Sequence, residues 1–490
     1  MKVVVHGLWH LGSVTAACIA EAGHDVVGLD DDPATVRALE GGRPPVLEPG
    51  LAELIAVGVG AGRLRFTTDA AQALEKAHVL WVTLEAPLDD QDRADVAFVR
   101  RRLQAIGGAV RPGTLVLVSS QVPAGFTRDL EAAWTGRGLS FAYAPENLRL
   151  GQALEAFRRP ERVVVGIRNE SERTRIAALF GSLGVPVEWM SIESAEATKH
   201  AVNAYLATSV AFANELARVC EAVGADPREV ERGLRSEPRI GARAYVSPGG
   251  APSGGTLARE VRFLDELARA HGVEAPLLAS VLRSNAAHTR WLLHKIAVVL
   301  AGIAGPRAAV LGLASKAGTD TLRRSASLEL CHWLLEQGVE VRAHDPVVRE
   351  LPADLRGRVL LRASPEEAWR QADVLIVATP WPQYLEIRPD DVVAGMRCSN
   401  VFDPGAFLAA SLGADARVAY RAPGRPESAR AGAFASVTAR DVGEPTLDGR
   451  VAIVTGGSEG LGRATAALFL QRGADVLVSA RRADRLREAA

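Results

Sequence analysis

The chain has 490 residues, enough for two to four domains, and is 48% apolar and 23% charged, the mix of a globular protein. Its 57 basic and 58 acidic side chains leave a net charge of −1, so composition implies no basic face for nucleic acid or an anionic membrane. No run reaches the ~18 apolar residues of a spanning helix, the opening MKVVVHGLWHLG is too short in apolar length for a signal peptide, and the four scattered cysteines show no metal-ligand spacing, which together give the expectation of a cytoplasmic, metal-free protein.

In chain order, KVVVH (2–6) reads as a buried strand and GLWHLG turns into a helix. Strand DVVGLD (25–30) follows, then HVLWVTL (78–84) and TLVLVSS (114–120), separated by helical pattern; FAYAPE (141–146) and RVVVGI (162–167) extend the same sheet. Such alternation predicts an α/β, doubly wound parallel sheet. From Ser194, read as a helix cap, the period changes to a long helix without internal glycine or proline, and more helix is expected over 256–300. Alternation resumes at AAVLGLASK (308–316), with strands in VEVRAHDP (339–346), ADVLIVATP (372–380) and CSNVFDP (398–404). An Arg/Pro/Gly/Ala-rich linker leads to GRVAIVTGGSEGLGRATAALFLQRGADVLVSARR, a strand, glycine loop, helix and strand too small to bury a core alone. The expected domains are therefore two Rossmann-like units (1–190 and 301–421) joined by a helical one (191–300), then a linker (422–447) and a partial third Rossmann unit (448–490).

The first glycine loop has Gly7 and Gly12 in place, but Trp9 stands where a second glycine lets the backbone approach a pyrophosphate. A strand before it, a helix after it, and Asp30 about 20 residues on suit a dinucleotide with a ribose diol; the alternative is a pocket filled by the indole. Only five residues of the chain are lysine, and one, Lys199, stands four before Asn203 on the long helix, so the two share a face. That pair suits deprotonation of an alcohol during hydride loss, or is a solvated face. Glu146 follows a strand end, where clefts of open sheets form, or is a helix cap. The glycine-rich loop 247–255 would wrap a phosphate or sugar, or is a plain surface loop. Lys316, Asp320 and Arg323 follow a strand end as a diphosphate or ribose site, or as an ordinary charged loop.

Taken in order, GLWHLG, VVGLDDDP, LEPGL, SSQVPAGFT, PENLRLG, EATKHAVNAYLA, NELARVCEAVGAD, the glycine loop, VLGLASKAGTD, AHDP and VFDP resemble the UDP-glucose/GDP-mannose dehydrogenase family over about residues 1–421. The resemblance implies an NAD domain, a helical dimerisation domain and a domain for a nucleotide diphosphate. The implied reaction oxidises the CH2OH of a nucleotide sugar, expected to be UDP-linked, to a carboxylate through a cysteine thioester. It places Gly7, Gly12, Asp30, Ser120 and Arg323 at NAD, Tyr245, Gly249 and Lys316 at the substrate, and Lys199, Asn203, Glu146, Thr256 and Glu260 in catalysis. The family's GGSCFPKD pattern corresponds to Gly254-Gly255-Thr256-Leu257-Ala258-Arg259-Glu260, with Leu257 opposite the cysteine if ungapped and Thr256 opposite it in the preferred, gapped version. Neither supplies a thiol. A binding protein that has lost its chemistry and serves a partner or the fused segment is the alternative expectation. The last segment resembles the opening of a short-chain dehydrogenase, with Thr455-Gly456-x3-Gly460-x-Gly462 as its loop and Arg481 and Arg482 suited to a 2′-phosphate.

Overall fold

The computed structural model describes residues 1–89, 93–146, 148–181, 184–251, 256–425, 447, 450–455 and 460–479. Residues 1–427 form one compact unit and 428–490 a second.

The first sheet contains β1 (Lys2–His6), β2 (Asp25–Leu29), β3 (Leu64–Thr67), β4 (Val79–Val82), β5 (Leu115–Val118), β6 (Ser140–Tyr143), β7 (Val163–Ile167) and β8 (Val187–Met190), in the order β3-β2-β1-β4-β5-β6-β7-β8. All pairs are parallel except β6 with β7. The strands read as unbroken apolar runs because both faces are covered. Val3, Val5 and Leu117 pack into one layer while Val4, Leu80 and Val118 pack into the other. Chain order reverses between β1 and β4, which opens a crevice at their C-terminal ends.

The helix expected from Ser194 begins earlier, at Ile192, and runs 32 residues to Val223. Ser191 is its cap: it is still extended as the chain leaves β8, and its hydroxyl accepts from the Ser194 amide at 3.3 Å. Gly224, with φ +75°, ends the helix. The helical stretch 256–300 is two helices, Thr256–Ala270 and Pro276–Leu300. Val261 and Val281 from these two pack on Ala204, Ala207 and Ala211 of the long helix, small residues that allow close approach.

The second sheet is all parallel, with β9 (Arg307–Leu311), β10 (Glu340–His344), β11 (Val359–Leu361), β12 (Val374–Val377), β13 (Asn400–Phe402) and β14 (Ala419–Arg421) in the order β11-β10-β9-β12-β13-β14. Its first turn repeats the geometry of the first sheet's. Gly7 and Gly312 have φ of +98° and +89°, and their amides donate to the last carbonyl or its neighbour on the adjoining strand, at Leu29 and His344. An aspartate then takes the next amide, Asp30 from Leu8 and Asp345 from Leu313.

In the second unit β15 (Val451–Thr455) and β16 (Asp475–Ser479) pair in parallel, joined through the helix Gly460–Gln471. Val451, Ile453 and Leu477 are exposed, as expected of a sheet too small to cover its own faces. Gly456, Arg481 and Arg482 lie outside the described residues.

Candidate active site

The crevice at the end of β1 is shaped by its glycines. A Cβ on Gly7 would sit 2.9 Å from the Leu84 backbone, and one on Gly12 would sit 1.7 Å from the Gly7 carbonyl oxygen. Trp9 is the N-cap of the first helix, at φ −72°, so its position needs no glycine conformation. Its half-buried indole lies 5.0 Å beneath the Arg323 guanidinium, which also faces Glu85 at 3.5 Å. Burial pushes the Glu85 carboxyl up, against the pull of Arg323. Asp30 holds the loop through Leu8 N at 2.8 Å and also faces Arg102, at 3.3 Å, a partner the sequence did not reveal. The open switch point, the two glycines and the aspartate at the end of β2 fit NAD. Ser120 is buried and turns inward, its hydroxyl 3.4 Å from the Val82 carbonyl.

Beyond the crevice, Lys199 and Asn203 are buried, which removes the reading of a solvated face. Lys199 Nζ donates to the backbone carbonyl of Glu146. The helix after Glu146, Ala153–Arg158, is preceded by Gln152, so Glu146 is not its cap. Burial lowers the Lys199 pKa and Arg259 adds to this, while Glu260 and Glu146 oppose it. Asn203 Nδ2 has no hydrogen-bond partner among the described residues. Glu260, on the helix Thr256–Ala270, is fully buried against His200 Nδ1, with Arg259 Nε 3.5 Å from its other oxygen. Thr256 opens that helix, but its side chain and residues 252–255 lie outside the described residues.

The substrate-side residues are spread more widely. Gly249 is pinned by Asn214 Oδ1 to its amide at 2.9 Å and by His288 Nε2 to its carbonyl at 2.8 Å. Lys316 is exposed on the surface, and desolvation of its amine together with the charge of Arg149 pushes its pKa down. Asp320 accepts from Leu47 N at 3.1 Å. Tyr245 is exposed, apart from the buried cluster.

Known proteins resemble this chain in sequence and fold. Models of the UDP-glucose/GDP-mannose dehydrogenase family match at residues 1–183 (NAD binding domain), 193–287 (central domain) and 309–410 (UDP binding domain). A UDP-glucose 6-dehydrogenase of Pseudomonas aeruginosa is 32% identical over 89% of this chain and 100% of its own length. The chain belongs to the UDP-glucose/GDP-mannose dehydrogenase family. The UDP-glucose 6-dehydrogenase AglM of Haloferax volcanii is also 32% identical, over 82% of this chain and 96% of its own. A solved UDP-glucose dehydrogenase from Pyrobaculum islandicum superposes with a TM-score of 0.75 at 31% identity, covering 82% of this chain and 94% of that one. A short chain dehydrogenase model matches residues 450–490. As a member of the nucleotide-sugar dehydrogenases, the chain is an NAD-dependent oxidoreductase acting on the CH–OH of a nucleotide sugar.

Sequence reasoning missed three buried groups within this dehydrogenase. Glu48, in the LEPGL motif, accepts from Gly151 N, Ala153 N and His10 Nε2 at 2.9, 2.8 and 2.8 Å. Glu196 accepts from Thr127 N at 2.9 Å and from Gly125 N, satisfying the start of the helix Phe126–Ala133. His200, next to Lys199 in sequence, meets its carboxylate partner Glu260 from 60 residues away. For Glu196 and His200 the available signal was a polar residue inside an apolar helical pattern, whereas Glu48 stands in a loop that carries no such period.

Among the described residues no helix is long and apolar enough to cross a membrane.

Proposed function

We propose that this chain oxidises the primary alcohol of a UDP-linked sugar in the manner of a UDP-glucose 6-dehydrogenase, but without covalent capture on a cysteine. The observation that carries this reading is the buried cluster of Lys199, Asn203, the Glu146 carbonyl and Glu260, with no cysteine anywhere in 247–260.

Bound NAD supplies the hydride acceptor. Lys199 Nζ and the unpartnered Nδ2 of Asn203 are the donors that hold the substrate oxygen, and their polarity stabilises the charge growing on it as the hydride departs. Glu260, with Arg259 beside it, supplies the negative charge the amine needs when protonated. The Trp9 indole and Arg323 close the cofactor side, with Gly7, Gly12 and Asp30 lining it, while the Ser120 hydroxyl, turned to the Val82 carbonyl, does not reach it. Gly249, Lys316 and Tyr245 belong to the sugar-nucleotide side. The gapped register, with Thr256 in the cysteine's place, is supported by Leu257, which packs toward Ala204 and Ala207. A threonine hydroxyl is a far weaker nucleophile than a thiol near neutral pH.

The chain's four thiols do not substitute. Cys220 lies roughly 30 Å farther along the helix of Lys199, at ~1.5 Å per residue. Cys18 lines a separate cavity of about 290 Å³ with Phe157, Arg158 and Leu179, and burial pushes its thiol up to about 12, as it does that of Cys331. Cys398 is exposed in the second sheet's periphery.

The working unit is a cytoplasmic homodimer. Its support is the row of exposed Tyr205, Phe212, Val219 and Val223 on the long helix, an apolar stripe at near-heptad spacing that a second copy of this helix would cover. The domain layout 1–190, 191–300 and 301–421 divides the labour between NAD, dimer and nucleotide diphosphate.

The test is to count NADH formed per molecule of each UDP-sugar supplied. Two per sugar means that carboxylate forms without a thiol, and one means an aldehyde or ketone product. No NADH with any nucleotide sugar, alongside calorimetric binding of the sugar nucleotide but not of NAD, would replace this reading with that of a binding protein.

A further inference from the structure

We propose that His200 and Glu260 form a proton-accepting dyad that activates water on the aldehyde, carrying the second oxidation through its hydrate. The inference rests on the dehydrogenase reading above and names the group that replaces sulfur chemistry.

Burial alone would raise the Glu260 carboxyl, but the His200 hydrogen bond and the charges of His200, Arg259 and Lys199 outweigh it and hold the group ionised. An ionised carboxylate only accepts hydrogen bonds. His200 Nδ1 therefore carries the hydrogen, and in the neutral ring the lone pair lies on Nε2. Nε2 is buried and has no hydrogen-bond partner among the described residues. An unsatisfied buried polar atom is costly, and a water or a substrate oxygen would satisfy it. The ring is fixed edge-on to Phe263, with centroids 5.4 Å apart at 75°.

Its neighbours are those of a reacting centre. Lys199 precedes it, Asn203 follows three residues on along the same helix face, and Glu196 stands four before it. Glu260 and Arg259 face it from the helix Thr256–Ala270, and Tyr143, whose phenol burial holds well above its usual value, is within electrostatic reach of that pair.

In the step, water gives a proton to Nε2 and its oxygen bonds to the aldehyde carbon. The carbonyl pair moves onto oxygen, which Lys199 and Asn203 hold. The hydrogen on that carbon then leaves as hydride to a second NAD, and the carboxyl formed loses its proton. One aldehyde, one water and one NAD thus give one carboxylate, one NADH and two protons.

The test compares wild type with His200→Asn, whose side-chain amide keeps a donor where Nδ1–H stood and removes Nε2. Each protein receives the aldehyde of the accepted nucleotide sugar with NAD, and separately the alcohol. The dyad predicts a ~10²–10⁴-fold loss in aldehyde oxidation, the span of general base catalysis. That loss exceeds any change in the alcohol step at least tenfold, NADH per alcohol falls from two to one, and the acid limb of the aldehyde pH profile disappears. Nitrogen-15 spectra of histidine in the cofactor-free protein give a reading independent of turnover and of how the variant folds. They should show His200 hydrogenated at Nδ1 and bare at Nε2, and the opposite tautomer overturns the proposal. Wild-type aldehyde oxidation by a folded His200→Asn also overturns it while leaving the dehydrogenase reading intact. Absence of NADH from both alcohol and aldehyde in the wild type defeats the two together.

Discussion

Replacing Glu48 by alanine is the perturbation that most directly ties fold to site. Its carboxylate, 1% exposed, accepts from two backbone amides and one imidazole. Alanine leaves all three donors buried and unmatched, at ~1–3 kcal/mol for each. His10 loses its Glu48 contact at the same time, so with three donors left unmatched the loss should reach ~3 kcal/mol or more. The segment released, which includes Gly151 and Ala153, follows closely on Glu146, whose carbonyl holds Lys199 Nζ. The damage should therefore reach chemistry as well as stability. Urea unfolding, followed by tryptophan fluorescence, should show a lower midpoint with an unchanged slope, and kcat/KM for NADH formation should drop at least tenfold. In a double-mutant cycle with His10→Ala, the coupling should be ~1–3 kcal/mol. A loss under ~1 kcal/mol with wild-type kcat/KM would refute the claim that Glu48 braces the active-site loop.

Other variants probe separate parts of the account. Thr256→Cys should make aldehyde oxidation faster and newly sensitive to iodoacetamide; sensitivity appearing in Leu257→Cys instead would show that the ungapped register is right. Lys199 titrates below its ordinary 10.5 in the folded chain, so as pH falls from there the unfolded chain takes up a proton that the folded one does not. The melting temperature of wild type minus that of Lys199→Met should accordingly rise as pH is raised toward 10.5, and a flat difference contradicts the buried amine. Phe212→Glu, on the exposed stripe of the long helix, should halve the mass seen by light scattering, whereas an unchanged mass places the dimer contact elsewhere.

The strands and turns of both sheets were legible because their residues are constrained twice. Gly7 must hold a positive φ and lie against Leu84, and Val3 to Val5 must be apolar on both faces. Lys199 and Asn203 were legible for a similar reason, standing four apart on a helix with apolar neighbours. Short edge strands such as β3, β11 and β14 were not, since three or four residues carry too little period, and nothing local marks β7 as antiparallel to β6. The long helix was assigned the wrong cap because Ser191 and Ser194 offer the same hydroxyl, and only the exit angle from β8 selects between them. Pairings across the fold left no trace either. His200 meets Glu260, and Asp30 meets Arg102, only after distant helices pack.

Covalent capture of the sugar is the point on which the account turns, and mass spectrometry of the intact chain reads it directly. Acid-quenched during steady turnover with NAD and the accepted UDP-sugar, the wild-type protein should show only its own mass, while Thr256→Cys gains a hydroxylamine-labile adduct of the sugar nucleotide. Such an adduct on the wild-type chain would contradict the account outright.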